Sequence, residues 1–216
     1  MARSIATEFL AGFKLILKSK YFYVSLLILL LGAIVNFLSQ IYLYSFVSNG
    51  NTLPVLSDII LDSIPYLNLT LVYNFFSFTS LIIFFAYIID KKKYNEIPFF
   101  IIVLGLFYTL RGIFVILTPF GNPEEFIGLA KIFPGLSKFQ FGLYPSGHTG
   151  SVFLYFLFAK GTYRGVLGLW GLLIVLGLFF SRGHYSIDVL SAIIFSYALY
   201  CFGKDYLRSF IIKFDS

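Results

Sequence analysis

FYVSLLILLLGAIVNFLSQIYLYSF, residues Phe22–Phe46, decides the fold. The stretch carries no charge over its whole length. As a helix rising ~1.5 Å per residue, it is long enough to cross the ~30 Å hydrocarbon core of a bilayer. It is too long and too evenly apolar for a cleaved signal peptide, and no small-residue cleavage site follows it. Five more apolar runs come after it: Leu67–Ile89, Ile97–Thr118, Gly147–Tyr163, Val166–Ser181 and Tyr185–Phe202, the fourth and fifth of the six being short, as suits a tilted span or one set toward one leaflet. The sequence thus predicts an all-α integral membrane protein, a six-transmembrane-helix bundle. Composition agrees: 59% of residues are hydrophobic and 12% charged, against ~25% charged in soluble domains.

Residues 1–20 read differently. Ile5, Phe9, Phe13 and Ile16 recur at helical spacing, with Arg3, Lys14 and Lys18 at other positions. This pattern predicts an amphipathic helix lying on the membrane surface, a frayed basic tail being the alternative. Residues 21–216 then form one six-span membrane domain, with no internal repeat or low-complexity tract. Cys201, the single cysteine, cannot form an internal disulfide.

The net charge of +6 does not indicate nucleic acid, because that reading needs a solvated basic face and little solvated surface is available. Lys and Arg read better as topology determinants. Twelve of them (Arg3, Lys14, Lys18, Lys20, Lys91, Lys92, Lys93, Lys160, Arg164, Lys204, Arg208 and Lys213) fall on one side of six spans. Three, Lys131, Lys138 and Arg182, fall on the other, and Arg111 lies inside the third span. Both termini are expected in the cytoplasm. The partner implied at this point is the bilayer, and the spans carry no signature of a particular oligomeric state.

Charged residues within a bilayer cost at least ~2.5–3.5 kcal/mol each, so those present need a reason. Arg111, His148, Arg182, His184 and Asp188 all lie near the outer ends of spans three, four and six in this scheme. His184 and Asp188 stand four apart, neighbours on a helix face. A carboxylate there can take the imidazole Nδ1–H and leave Nε2 for chemistry; the alternative is a pair that caps the last helix. Tyr144-Pro145-Ser146-Gly147-His148-Thr149 is a turn opening into an apolar span. Its first amides can form an anion site with His148 at the lip, or simply start a helix. Tyr108, Arg111 and Thr118 share one helical stripe, where the guanidinium can hold a phosphate or pair with a carboxylate such as Asp188.

These residues resemble the type 2 phosphatidic acid phosphatase superfamily, whose motifs are K-x6-R-P, P-S-G-H and S-R-x5-H-x3-D. Here the second is intact as Pro145-Ser146-Gly147-His148, and the third keeps His184 and Asp188. The first reads Arg111-x6-Thr118-Pro119. The sphingomyelin synthase-like branch, with Y-x2-R-x6-T, S-G-H-T and H-Y-[ST]-x-D-V, is closer. This chain reads Tyr108-x2-Arg111-x6-Thr118, Ser146-Gly147-His148-Thr149 and His184-Tyr185-Ser186-Ile187-Asp188-Val189. Arg182 stands two residues before His184, where the phosphatase pattern puts its arginine six before.

The resemblance implies a lipid phosphatase or phosphotransferase that forms a phosphohistidine, with no metal and no other cofactor. His184 would be the nucleophile, Asp188 would orient it, and His148 would be acid and then base. Arg111, Ser146, Gly147, Thr118, Tyr108 and, in the phosphatase pattern, Arg182 would hold the phosphate. Water as acceptor gives hydrolysis; a lipid alcohol gives head-group transfer. The site would face away from the cytoplasm. A transporter using Arg111, His148 and Asp188 as a polar relay is the alternative from another class, though it would usually show an internal repeat.

Overall fold

The computed structural model describes residues 12–14, 16–128 and 141–209. Within them the chain is helical and has no strand. In order the helices are α1 (Lys20–Ser48), α2 (Ile59–Ser63), α3 (Thr70–Asp90), α4 (Ile97–Leu117), α5 (Gly147–Phe158), α6 (Gly161–Phe180) and α7 (Ser186–Phe202). A 3₁₀ turn, Tyr94–Glu96, leads into α4, and a π turn, Gly203–Leu207, continues α7. Most of the amphipathic segment expected near the N-terminus, and Lys131 and Lys138 of the long connection between α4 and α5, lie outside the described residues.

Five helices are long and apolar enough to cross a membrane: α1, α3, α4 with its leading turn, α6, and α7 with its π turn. They fall on five of the six expected runs; the fourth run, already short in the sequence, is the one that does not form a helix of that length. The run Gly147–Tyr163 is helical only to Phe158. Ala159 (φ −72°, ψ 159°) and Lys160 (φ −134°, ψ 161°) are extended, and Gly161 takes φ +59°. The helix therefore ends early, and α5 covers roughly 18 Å at ~1.5 Å per residue. Its direction is nonetheless clear. At its start, His148 meets Tyr73 near the beginning of α3. At its end, Phe158 packs on Phe99 at the beginning of α4 and on Tyr200 at the end of α7. α5 thus begins recessed inside the bundle, and the non-helical stretch ahead of it occupies the depth a longer helix would fill. Irregular backbone is tolerated at such depth when it is buried in protein or lines a cavity.

The bundle core is aromatic and aliphatic. Phe84 stacks on Tyr155 with ring centroids 5.1 Å apart and meets Phe100 at 4.5 Å. The lipid side carries leucines and phenylalanines instead, such as Leu27, Leu30, Phe75 and Phe78. α1 and α4 make the most extensive helix pair, because glycines let their backbones approach. A Cβ added at Gly112 would sit 2.7 Å from the Asn36 amide nitrogen, and one at Gly105 2.8 Å from that of Leu29. Backbone atoms cannot step aside, so Gly112→Ala must push α1 from α4 and carry Asn36 with it. The expected cost is about 1–3 kcal/mol, the range for overpacking. It should appear as a lower unfolding midpoint in detergent, while Gly165→Ala, which meets nothing within 4 Å, leaves the midpoint nearly unchanged.

Candidate active site

The α6–α7 connection, the start of α5, the start of α3 and the C-terminal half of α4 converge on a cavity of about 410 Å³. Tyr73, Asn74, Tyr108, Arg111, Gly147, His148 and His184 line it, with Phe126, Phe141 and Gly142 from the long connection.

Asp188 and His184 come together by a route other than the expected helix face. α7 begins at Ser186, so His184 lies in the turn ahead of it. Asp188 is the third helical residue, and its carboxylate reaches back to cap the helix. One oxygen, Oδ2, accepts both the Tyr185 amide at 3.0 Å and faces His184 Nδ1 at 3.0 Å. Helix capping and histidine orientation are therefore done by the same atom. The pair is sealed from solvent, Asp188 fully and His184 to 3% exposure. The Ser146 amide donates to the Asp188 carbonyl at 3.0 Å, which ties the start of α5 to the first turn of α7.

His148 faces His184 with ring centroids 5.9 Å apart. Its Nε2 lies 3.2 Å from Asn74 Oδ1, and Tyr73 meets its ring edge-on at 5.2 Å. The Ser146 hydroxyl accepts the Thr149 amide at 3.2 Å. The Gly147 and His148 amides, at the first turn, have no carbonyl one turn back within the helix and border the cavity.

Arg111 serves the backbone. Its Nε donates to the Pro145 carbonyl at 2.9 Å, one terminal nitrogen to the Gly142 carbonyl at 2.9 Å, and the other to Asn36 Oδ1. It does not pair with Asp188. The guanidinium thereby satisfies carbonyls of the non-helical stretch leading into α5, which no helix could satisfy. Gly142 turns this stretch at φ +77°, where a side chain would be strained and would also strike Val115 at 2.5 Å.

Tyr108, Gly147, Arg111, His148 and His184 thus lie at the cavity, with Asp188 behind them. Three expected phosphate ligands do not line it. Ser146 is fully buried as the cap of α5. Thr118 ends α4 and its hydroxyl bonds the Phe114 carbonyl at 2.6 Å. Arg182 points away, giving one N–H to the Ile64 carbonyl at 3.0 Å and lying 3.9 Å from Glu125.

Sequence reasoning missed the amides. Asn36, Gln40 and Asn74 all sit in apolar runs and reach Arg111, the cavity or His148. Their signal was present, since an amide within a bilayer also needs a partner. It is weaker than that of a charge, because a neutral amide costs less to place in an apolar run.

Asp58 was also missed, since it lies in a loop. Its carboxylate accepts the amides of Ile60 and Leu61 at the start of α2, and that of Ser186 at the start of α7. The Tyr185 hydroxyl meanwhile accepts the Leu56 amide at 3.1 Å. Burial pushes the Asp58 carboxyl up, but the bonds from Ser186, Leu61 and Ile60 outweigh burial and hold it below the ordinary carboxylate value. A depressed value in the folded state gives stability that is complete above the ordinary carboxylate range and is lost as pH falls through the folded value. The unfolding midpoint should fall as pH drops through and below the ordinary carboxylate range, and Asp58→Asn should be lower at neutral pH and flatter over that acid range.

The fold and site define a multi-pass membrane protein with a buried histidine–aspartate pair facing a second histidine at one cavity. The family model AtPDCT1/2, of phosphatidylcholine:diacylglycerol cholinephosphotransferases, matches residues 19–204, and the chain belongs to this family of lipid phosphocholine transferases. The motif resemblance to type 2 phosphatidic acid phosphatases and sphingomyelin synthase-like proteins is corrected by that match. The motifs cover about a tenth of the chain and report a chemistry compatible with the site, whereas the match runs along nearly all of it. No curated protein and no solved structure matches the chain.

Proposed function

We propose that the protein moves phosphocholine from a phosphatidylcholine to a diacylglycerol through a covalent histidine intermediate. The observation that carries this reading is the His184–Asp188 pair facing His148 across one cavity, in a chain of this family. His184 Nε2 attacks phosphorus, and the bond from phosphorus to the donor's glycerol oxygen breaks. His148 gives that oxygen its proton, and diacylglycerol leaves. The hydroxyl of a second diacylglycerol then loses its proton to His148 and attacks phosphorus. The phosphorus–nitrogen bond breaks, and His184 is restored. Asp188 stabilises the imidazole as charge develops on it.

Phosphocholine is zwitterionic, and the cavity suits both ends. The amides of Gly147 and His148 at the start of α5, with Arg111 nearby, favour the phosphate. Tyr73, Tyr108, Phe126 and Phe141 offer aromatic faces to the trimethylammonium group, and none of the described lining residues is acidic.

The twelve-to-three bias of Lys and Arg supports cytoplasmic termini and a site opening on the opposite face. This requires six crossings, with α5 and the stretch before it making the short one. Cysteines placed at Lys92 and at Asn51, with Cys201 replaced, should label from opposite sides of intact vesicles.

The test of function uses purified protein in vesicles of phosphatidylcholine labelled in its choline group and diacylglycerol of distinct acyl mass. The expected product is labelled phosphatidylcholine bearing the acceptor's chains. Free phosphocholine as the sole product would make water the acceptor, and no product at all would refute the reading.

A further inference from the structure

Asn74 sits on α3 one turn below Thr70, and its two amide atoms have different tasks. Nδ2 donates to the Thr70 carbonyl at 2.7 Å. This fixes which way the amide points, because the flipped amide would set two acceptors against each other. Oδ1 is therefore the atom 3.2 Å from His148 Nε2. A carboxamide oxygen only accepts, so in the neutral ring Nε2 must carry the hydrogen and Nδ1 the lone pair. At His184 the order is reversed: Asp188 Oδ2 takes the Nδ1 hydrogen and leaves the lone pair on Nε2.

We propose that Asn74 is a positioning residue that fixes His148 as the Nε2–H tautomer, so that the two histidines are held as opposite tautomers across one cavity. The groups around the His148 ring are the Tyr73 ring, His184 and Arg111. Asp188, the nearby carboxylate, is engaged with His184 and the Tyr185 amide. An asparagine rather than an aspartate orients the ring without adding charge, which suits a group that must take and return a proton in each turnover. The arrangement continues outward, since the Thr70 hydroxyl donates to the Ile127 carbonyl at 3.0 Å, so the connection bordering the cavity is tied to the residue that anchors Asn74.

The consequence for turnover rests on the reading of His148 as the proton carrier; the tautomer does not. The chain has two histidines, so ¹⁵N-imidazole labelling of protein purified without a polyhistidine tag reports on these two alone. Above the titration range, the wild type should show His184 with Nδ1–H and His148 with Nε2–H. Asn74→Ala should turn the His148 signals into those of a tautomer mixture and leave His184 unchanged. Asn74→Asp, which keeps an acceptor, should restore the tautomer. Transfer should fall about 10–100-fold in Asn74→Ala, part of the ~10²–10⁴-fold that positioned proton transfer supplies, and recover in part with Asn74→Asp. Wild-type His148 carrying its hydrogen on Nδ1, or Asn74→Ala spectra identical to wild type, would overturn the proposal. The opposite tautomers in a protein that performs no transfer would uphold the role of Asn74 and refute the transferase reading.

Discussion

His184→Ala is expected to lower phosphocholine transfer by on the order of 10⁴–10⁶-fold, since deletion of a nucleophile that acts as part of a unit removes nearly all of the chemistry. The fold should survive it. His184 lies in the turn between α6 and α7, and its side-chain bond is to an Asp188 oxygen that also accepts the Tyr185 amide. The capping of α7 therefore persists without the imidazole. A fluorescent phosphatidylcholine and a diacylglycerol in vesicles give the rate, and an unfolding curve in the same detergent gives the fold. Wild-type activity would remove His184 from the chemistry, and a collapsed unfolding curve would make the loss uninformative about catalysis.

Asp188→Asn should lower transfer by about 10³–10⁴-fold and leave measurable residual activity, as expected when an orienting carboxylate becomes an amide while the nucleophile stays. The negative charge that stabilises the imidazolium disappears. An amide can still accept from Tyr185, so the helix start is largely kept. Asp188→Ala removes the cap as well, at about 0.5–2 kcal/mol for a helix N-terminus. The two variants should therefore differ more in unfolding midpoint than in rate. If Asp188→Asn kept full activity, the carboxylate would be a cap alone.

Much of this was legible in the sequence. Long uncharged runs announced the spans, since a bilayer leaves few options for twenty apolar residues. The residues at the cavity, Arg111, His148 and His184, and Asp188 behind them, stood out because charge and imidazole are expensive there. The role of Arg111 was harder to read. Its three partners, Asn36, Gly142 and Pro145, come from two distant parts of the chain. Only the packing of α1 on α4 and the recessed start of α5 bring them together. That α5 is short was legible, but the place where it ends was not, because the apolar run continues past Phe158 while the backbone breaks at Ala159 and Lys160. Ser146 looked like a phosphate ligand because its motif was read as chemistry; in the fold its hydroxyl is spent on the helix. Short motifs show which atoms can react, but not whether a hydroxyl faces a cavity or a backbone amide.

The central claim is a phosphocholine group held covalently on His184, and rapid quenching tests it most directly. Wild-type protein is mixed with phosphatidylcholine labelled in its head group, with diacylglycerol withheld, and stopped in base. The account requires label on the protein that is stable to base, released by acid and mapped to His184, absent from His184→Ala and chased into lipid when diacylglycerol is added. Full transfer activity with no label on any histidine would contradict it, and the acceptor hydroxyl would then attack the donor directly with His184 as its base.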